Sequence, residues 1–113
     1  MEQASFLYGP ETLSLGEGLE LRLLTARETL EARREAGALA QGERERALCA
    51  NACLLARALQ RDGRAVFQSG AEVLEGMTAR RIGELARRWA QFDRAEDPAP
   101  EDGEERCRAL KKA

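Results

Sequence analysis

The residue types that support most enzyme chemistry are scarce in this chain of 113 residues. It contains no histidine, which is the commonest general base and a common metal ligand, so His-dependent catalytic triads are excluded. The acidic residues stand mainly beside arginines at helical spacings, such as Glu84 and Arg88, which is typical of solvated ion pairs. The glycines form no phosphate-binding motif. The sequence therefore predicts a protein that is not an enzyme and that uses no cofactor.

Three cysteines are the remaining candidates for metal or redox chemistry. Cys49 and Cys53 lie four residues apart in a predicted helix, and Cys107 lies near the C-terminus. Structural zinc takes four nitrogen or sulfur ligands, and the chain offers no fourth cysteine or histidine. Free cysteine is also among the most frequently buried residue types. We therefore expect reduced thiols packed in a helix core, and no metal site.

Asn51 interrupts the most apolar stretch of the sequence. An unpaired amide in an apolar setting costs about 1 to 3 kcal/mol, so the side chain should have a partner. Two interpretations are open. The favoured one is a hydrogen bond to the backbone of a neighbouring loop, and the other is an amide exposed in a groove used for self-association.

Two arginine pairs stand seven residues apart and share one face of a predicted helix. The four residues are Arg80, Arg81, Arg87 and Arg88. A basic helix face of this kind is the usual starting point for a DNA-binding hypothesis. The formal net charge of the chain is nevertheless −2, which gives no general attraction to a polyanion.

The region around these arginines is similar in pattern to a helix-turn-helix, with helices at about 70–76 and 78–94. The four arginines would then contact DNA. The position four residues before the turn glycine at Gly76 is tightly packed in that motif, and here it holds the bulky, charged Glu72. Nucleic acid is therefore the less favoured partner, and a helix-turn-helix regulator is the alternative hypothesis.

The elements that position these residues begin with a predicted β-hairpin at about 12–24. Leucines alternate with other residues on both sides of a glycine-containing turn at 16–18, and this predicts a bulged hairpin with one apolar face. These leucines are Leu13, Leu15, Leu19, Leu21 and Leu23. Residues 4–8 provide a weaker candidate for a third strand.

The first two predicted helices follow the hairpin. A capping box at Thr25 and Glu28 begins a helix that runs to about Gly42 with a thin apolar stripe. The inward candidates are Ala26, Leu30, Ala36 or Gly37, and Leu39 or Ala40. The next helix, from Glu43 to a stop at Asp62 and Gly63, is apolar nearly all round and should lie at the centre.

Two further helices complete the predicted domain. Ser69 and Glu72 form a second capping box that begins a short helix ending at Gly76, and Thr78 begins a long one. The inward residues of the long helix are Ile82, Leu85, Ala86, Trp89 and Phe92 or Asp93.

These elements predict a mainly α fold, with a small three- to four-helix domain at 1–94 that carries an N-terminal β-hairpin. Residues 95–113 are rich in proline and acidic residues and are predicted to form a flexible tail. No stretch approaches the roughly 18 apolar residues that a membrane span requires, and no secretory signal is evident. We therefore expect a cytosolic protein that does not interact with membranes.

Residues 19 to 98 resemble the small tail assembly chaperones encoded by long-tailed bacteriophages and prophages. The resemblance rests on three segments: Leu24–Arg27 at the entry to the first long helix, Asn51–Ala56 in the central helix, and Met77, Thr78, Ile82, Trp89 and Phe92 in the last helix. Two positions depart from the pattern, since Met77 stands where leucine is expected and Asp93 where asparagine is commoner.

The resemblance implies a non-enzymatic chaperone of phage tail assembly in the cytoplasm of the bacterial host. Its implied partners are the tape measure protein, whose apolar segments it would coat, and the tail tube protein, whose polymerisation it would assist. It also implies a homo-oligomer and no catalytic residues. The residues expected to contact the partner are Leu30, Leu39, Trp89 and Phe92. The favoured alternative for each of them is that it simply fills the core of the monomer.

Overall fold

The computed structural model describes residues 12–95, which form four helices and a four-stranded antiparallel sheet. In chain order the elements are β1 (Thr12–Gly16), β2 (Leu19–Arg22), α1 (Ala26–Leu39), α2 (Glu43–Ala58), β3 (Leu59–Arg61), β4 (Arg64–Ala65), α3 (Gly70–Gly76) and α4 (Ala79–Ala95). Helices account for 64% of these residues. The fold is therefore mixed, because its sheet is larger than the single hairpin that the sequence predicted.

The predicted hairpin is present as β1 and β2. Leu13 pairs with Leu21, and an irregularity of register between Ser14 and Gly16 marks the bulge next to the turn. The expectation that five leucines share this hairpin needs one correction. Leu23 follows the last residue of β2, because the chain leaves the sheet there to begin α1.

The second hairpin, β3 and β4, corrects the prediction of a helix through residue 62. Helix α2 ends at Ala58, and Leu59 pairs with Leu21 of β2. Asp62 and Gly63 have φ angles of 52° and 83°, so they form the turn of this hairpin. An Asp-Gly pair suits a tight hairpin turn as well as a helix stop, and pairing with β2 decides between the two.

The predicted helix starts are confirmed in their capping hydrogen bonds. Thr25 and Glu28 form the full capping box of α1, and the Ser69 hydroxyl accepts from the Glu72 N–H. The Glu72 carboxylate accepts from the N–H of Gln68 at 2.8 Å, one residue before the cap. The Thr78 hydroxyl accepts from the Arg81 N–H at 3.1 Å. Helix α1 ends at Leu39, three residues short of the prediction.

Helix α2 lies at the centre of the fold, as predicted, and packs against α1, α3 and α4. The main core joins this helix to the sheet and to α4. Its buried residues are Leu21, Ala52, Leu55, Ala56, Ala58, Leu59, Val73, Ile82 and Leu85. A second cluster joins α1 to α2 through Ala32, Ala36, Cys49 and Cys53. The two cysteines are buried, as their residue type predicted.

The inward face of α1 matches the predicted stripe at Ala36 and Leu39 and differs from it at Ala26 and Leu30. Leu30 is 49% exposed and Ala26 is also exposed, whereas Ala32 and Ala36 are buried. Because the small Ala32 and Ala36 face α2, the two helices pack closely, and the larger Leu30 lies on the outer side of α1. The third strand at 4–8, nearly all of the tail predicted at 95–113 and Cys107 lie outside the described residues.

Candidate functional site

A half-open groove of about 250 Å³ lies between α1, α2 and α4. Its lining is mostly apolar, with four alanines drawn from all three helices. The lining residues are Thr29, Ala32, Arg33, Ala50, Asn51, Leu54, Ala86, Trp89 and Ala90. Small side chains on three neighbouring helices leave a space that larger ones would fill. This groove is the candidate binding site.

Asn51 lies in this groove and is half-buried. Within residues 12–95, no hydrogen bond links its side-chain amide to another residue, so the favoured loop-backbone partner is not found there. The amide is a polar group on an apolar surface, available to solvent or to a ligand. A binding partner that buries it must supply a hydrogen bond, since leaving it unpaired costs about 1 to 3 kcal/mol.

Trp89 forms part of the α4 wall and is held in place by the end of β2. Its indole Nε1–H donates to the Arg22 carbonyl oxygen at 2.8 Å, and its ring packs against the main core. It is the only tryptophan in the chain. Trp89 therefore has two roles in the structure, as a core residue and as a groove residue.

The residue that receives the Trp89 hydrogen bond is itself tied to the start of α1. The Arg22 guanidinium donates to both oxygens of Glu28, at 3.2 and 2.7 Å. This pairing lowers the pKa of Glu28 to about 2, against the opposing effect of burial. The Glu28 carboxylate also accepts from the Thr25 N–H. The contacts of Arg22 thus connect the α1 and α4 walls of the groove at one end.

A second polar junction joins α1, α2 and α3 through Glu35. Its carboxylate accepts from Arg57 at 2.7 Å and from the Gly70 N–H at 2.8 Å. Partial burial favours the protonated acid, but these two donors outweigh it and the pKa of Glu35 is lowered. No local sequence pattern distinguishes Glu35, because both of its partners are distant along the chain.

Cys53 adjoins this junction and has the properties of a packing residue. Burial, together with the nearby Glu35 carboxylate, raises the pKa of its thiol to about 12. The thiol is therefore protonated at neutral pH and is a poor nucleophile. Within residues 12–95, no group of three or more His, Cys, Asp or Glu side chains could hold a metal ion.

The structure brings only part of the predicted partner-binding set to the groove. Trp89 lines it, whereas Leu30 is exposed on α1 and is not among the lining residues. Leu39 packs against the second core cluster instead. Phe92 is half-buried and is not among the residues that line the groove. For Asn51 a groove was the less favoured of the two interpretations of the sequence, and the alanines and Arg33 gave no signal of one.

The four arginines of the DNA-binding alternative are all exposed on α4. Helical spacing places Glu84 on the same side, and its carboxylate lies 3.7 Å from the Arg81 guanidinium. Helix α3 packs mainly against α2 and only weakly against α4. The basic face predicted from the sequence is thus present, with an acidic residue in its middle.

Comparisons with protein-family models, with curated proteins and with solved structures found no match to this chain. No helix within residues 12–95 has the length and apolar character needed to cross a membrane.

Proposed function

We propose that this protein is a non-enzymatic assembly chaperone that receives an amphipathic helix of its partner in the groove between α1, α2 and α4. The observation that carries the proposal is the groove itself, with its alanine-rich lining and its volume of about 250 Å³. Helix-in-groove recognition places apolar side chains of one helix, spaced three or four residues apart, into such a depression.

The volume indicates what the groove can accept. An apolar cavity of about 150 Å³ is large enough for benzene, so a space of 250 Å³ suits one or two large aliphatic side chains. An amphipathic helix supplies two such side chains on successive turns.

The resemblance to phage tail assembly chaperones supplies the candidate partner, the tape measure protein, and the tail tube protein is proposed as a second partner. Homo-oligomerisation and a location in the cytoplasm of the bacterial host belong to the same proposal.

The test is a titration of the full chain with helical fragments of a tape measure protein, in which binding is monitored by Trp89 fluorescence and by calorimetry. We expect saturable binding with a shift of the Trp89 emission, because the ring lines the groove. The variant Ala90→Leu places a larger side chain in the groove and should weaken binding at least tenfold. Ala38→Leu, at an exposed position of α1, is the matched control and should bind normally.

Binding that is unaffected by Ala90→Leu would place the contact elsewhere. Absence of binding to any tail protein, together with retention of duplex DNA, would favour the second candidate.

That second candidate is a DNA-binding regulator that uses the exposed arginines of α4. The exposure of Arg80, Arg81, Arg87 and Arg88 favours it. Arginines that contact phosphates release the counterions bound there, so the affinity for DNA falls steeply as salt rises. A mobility-shift assay on duplex DNA at 50 and 200 mM salt tests it, with Arg87→Gln expected to weaken binding uniformly across sequences.

A further inference from the structure

The rim of the groove carries three exposed arginines that the fold does not use. Arg33 lines the α1 wall. On α4, Arg87 precedes the lining residue Ala90 by three positions and Arg94 follows it by four, so helical geometry places both beside it. All three side chains are exposed. Two acidic residues lie near the α4 arginines: Asp93 follows Ala90 by three positions, and Glu84 precedes Arg87 by three but pairs with Arg81 at 3.7 Å.

These arginines differ from those that hold the fold together. Within residues 12–95, no carboxylate lies within 4 Å of the guanidinium groups of Arg33, Arg87 or Arg94, whereas Arg22 and Arg57 each have one at 2.7 Å. The positions three and four residues from Arg33 on α1 are Thr29, Leu30, Ala36 and Gly37, and none of them is acidic. The α1 side of the groove therefore carries an unopposed arginine, and the α4 side carries Arg87 and Arg94 against the single carboxylate of Asp93, because Glu84 pairs with Arg81.

We infer that the helix received by the groove carries acidic residues on both flanks of its apolar row. This inference rests on the proposed function and specifies the chemistry of the partner. In heptad terms, the row occupies positions a and d, and the acidic residues occupy positions e and g. One flank faces Arg33 of α1, and the other faces Arg87 and Arg94 of α4.

Complementary charges at an exposed rim contribute mainly to selectivity and to the rate of association. Each exposed pair changes affinity about twofold, so three pairs together amount to roughly five- to tenfold. The same arginines repel a helix with basic flanks, so the difference in affinity between a helix with acidic flanks and one with basic flanks is larger still. The effect falls as salt rises, because the screening length shrinks from about 10 Å at 0.1 M to about 3 Å at 1 M.

The experiment compares two synthetic helical peptides with identical leucines at a and d, one with glutamate and one with lysine at every e and g position. Each is titrated into the full chain at 50 mM and 500 mM salt, and Trp89 emission and heat are recorded. We expect the glutamate peptide to bind at least tenfold more tightly at 50 mM salt, and the preference to shrink to a few-fold at 500 mM.

Rim variants assign the preference to particular side chains. Arg33→Gln and Arg87→Gln should each weaken binding of the glutamate peptide two- to threefold and leave the lysine peptide unchanged or slightly tighter. Arg44→Gln, at an exposed position of α2 outside the groove, is the matched control and should change neither affinity.

The outcomes separate this inference from the proposal beneath it. Equal binding of the two peptides overturns the acidic-flank inference and leaves helix binding intact. Failure of both peptides to bind overturns the proposed function and the inference together. A charge preference that Arg44→Gln weakens as much as Arg33→Gln would show general charge attraction, and it would overturn the assignment to the rim.

Discussion

Replacing Trp89 tests whether this side chain anchors the wall of the groove. The ring packs against the main core, and its indole N–H donates to the Arg22 carbonyl at 2.8 Å. Trp89→Ala removes the ring and the donor together. Trp89→Phe removes the donor and keeps most of the apolar surface.

The expected cost follows from these contacts. Truncation of a fully buried tryptophan to alanine costs about 3 to 5 kcal/mol, and Trp89 is only half-buried, which places it at the lower end. We therefore expect a loss of about 3 kcal/mol for Trp89→Ala. Trp89→Phe should cost about 1 to 2 kcal/mol, because the Arg22 carbonyl loses its donor.

The assay is denaturation by urea, and unfolding is monitored by circular dichroism because both variants lack the single tryptophan of the chain. A loss of about 3 kcal/mol lowers the urea midpoint by about 1 to 3 M at the slopes of about 1 to 3 kcal/mol/M typical of small domains. Gln91→Ala, at an exposed position of the same helix, is the control and should change stability by less than about 0.5 kcal/mol. A loss below 1 kcal/mol for Trp89→Ala would refute the anchoring argument and make the ring a surface residue.

Two further predictions concern stability. A Cβ at Gly70 would overlap the Sγ of Cys53 and lie 3.1 Å from its Cα, so Gly70→Ala should destabilise the protein by about 1 to 3 kcal/mol in urea denaturation. Gly37 lies in an exposed part of α1, and a Cβ there would meet nothing within 4 Å. Gly37→Ala should therefore stabilise the protein by about 0.5 to 1 kcal/mol. Because the pairing with Arg22 lowers the pKa of Glu28 to about 2, its contribution to stability is present above about pH 4.5 and is lost as pH falls towards 2. Glu28→Gln should flatten the loss of urea stability in that window, and an unchanged pH profile would contradict the assigned pairing.

Local signals in the sequence were sufficient for the helix starts and the first hairpin. Thr25, Ser69 and Thr78 accept the capping hydrogen bonds that their spacing predicted. Such bonds form between residues three apart, so they depend little on the rest of the chain. The same holds for the turn at residues 16–18.

The features that the sequence did not predict depend on contacts between distant residues. Leu59 leaves the helical pattern because it pairs with Leu21, 38 positions earlier. Leu30 lies outward because the facing surface of α2 accepts the small Ala32 and Ala36 at close range. Glu35 gains its role from Arg57 and Gly70. Periodicity within one helix contains no information about which neighbour a face will meet.

The groove raises the question of whether its alanines serve binding or only close helix packing, and the stability of Ala90→Leu distinguishes the two. A larger side chain at this half-buried position adds apolar contact, which should stabilise the free protein by about 1 kcal/mol at about 0.8 kcal/mol for each fully buried CH₂. If the space is a binding site, the same variant gains stability and loses the partner, the trade-off typical of functional sites. If the alanines instead allow close helix contact, the larger side chain must force the helices apart, and Ala90→Leu would lower the midpoint of urea denaturation.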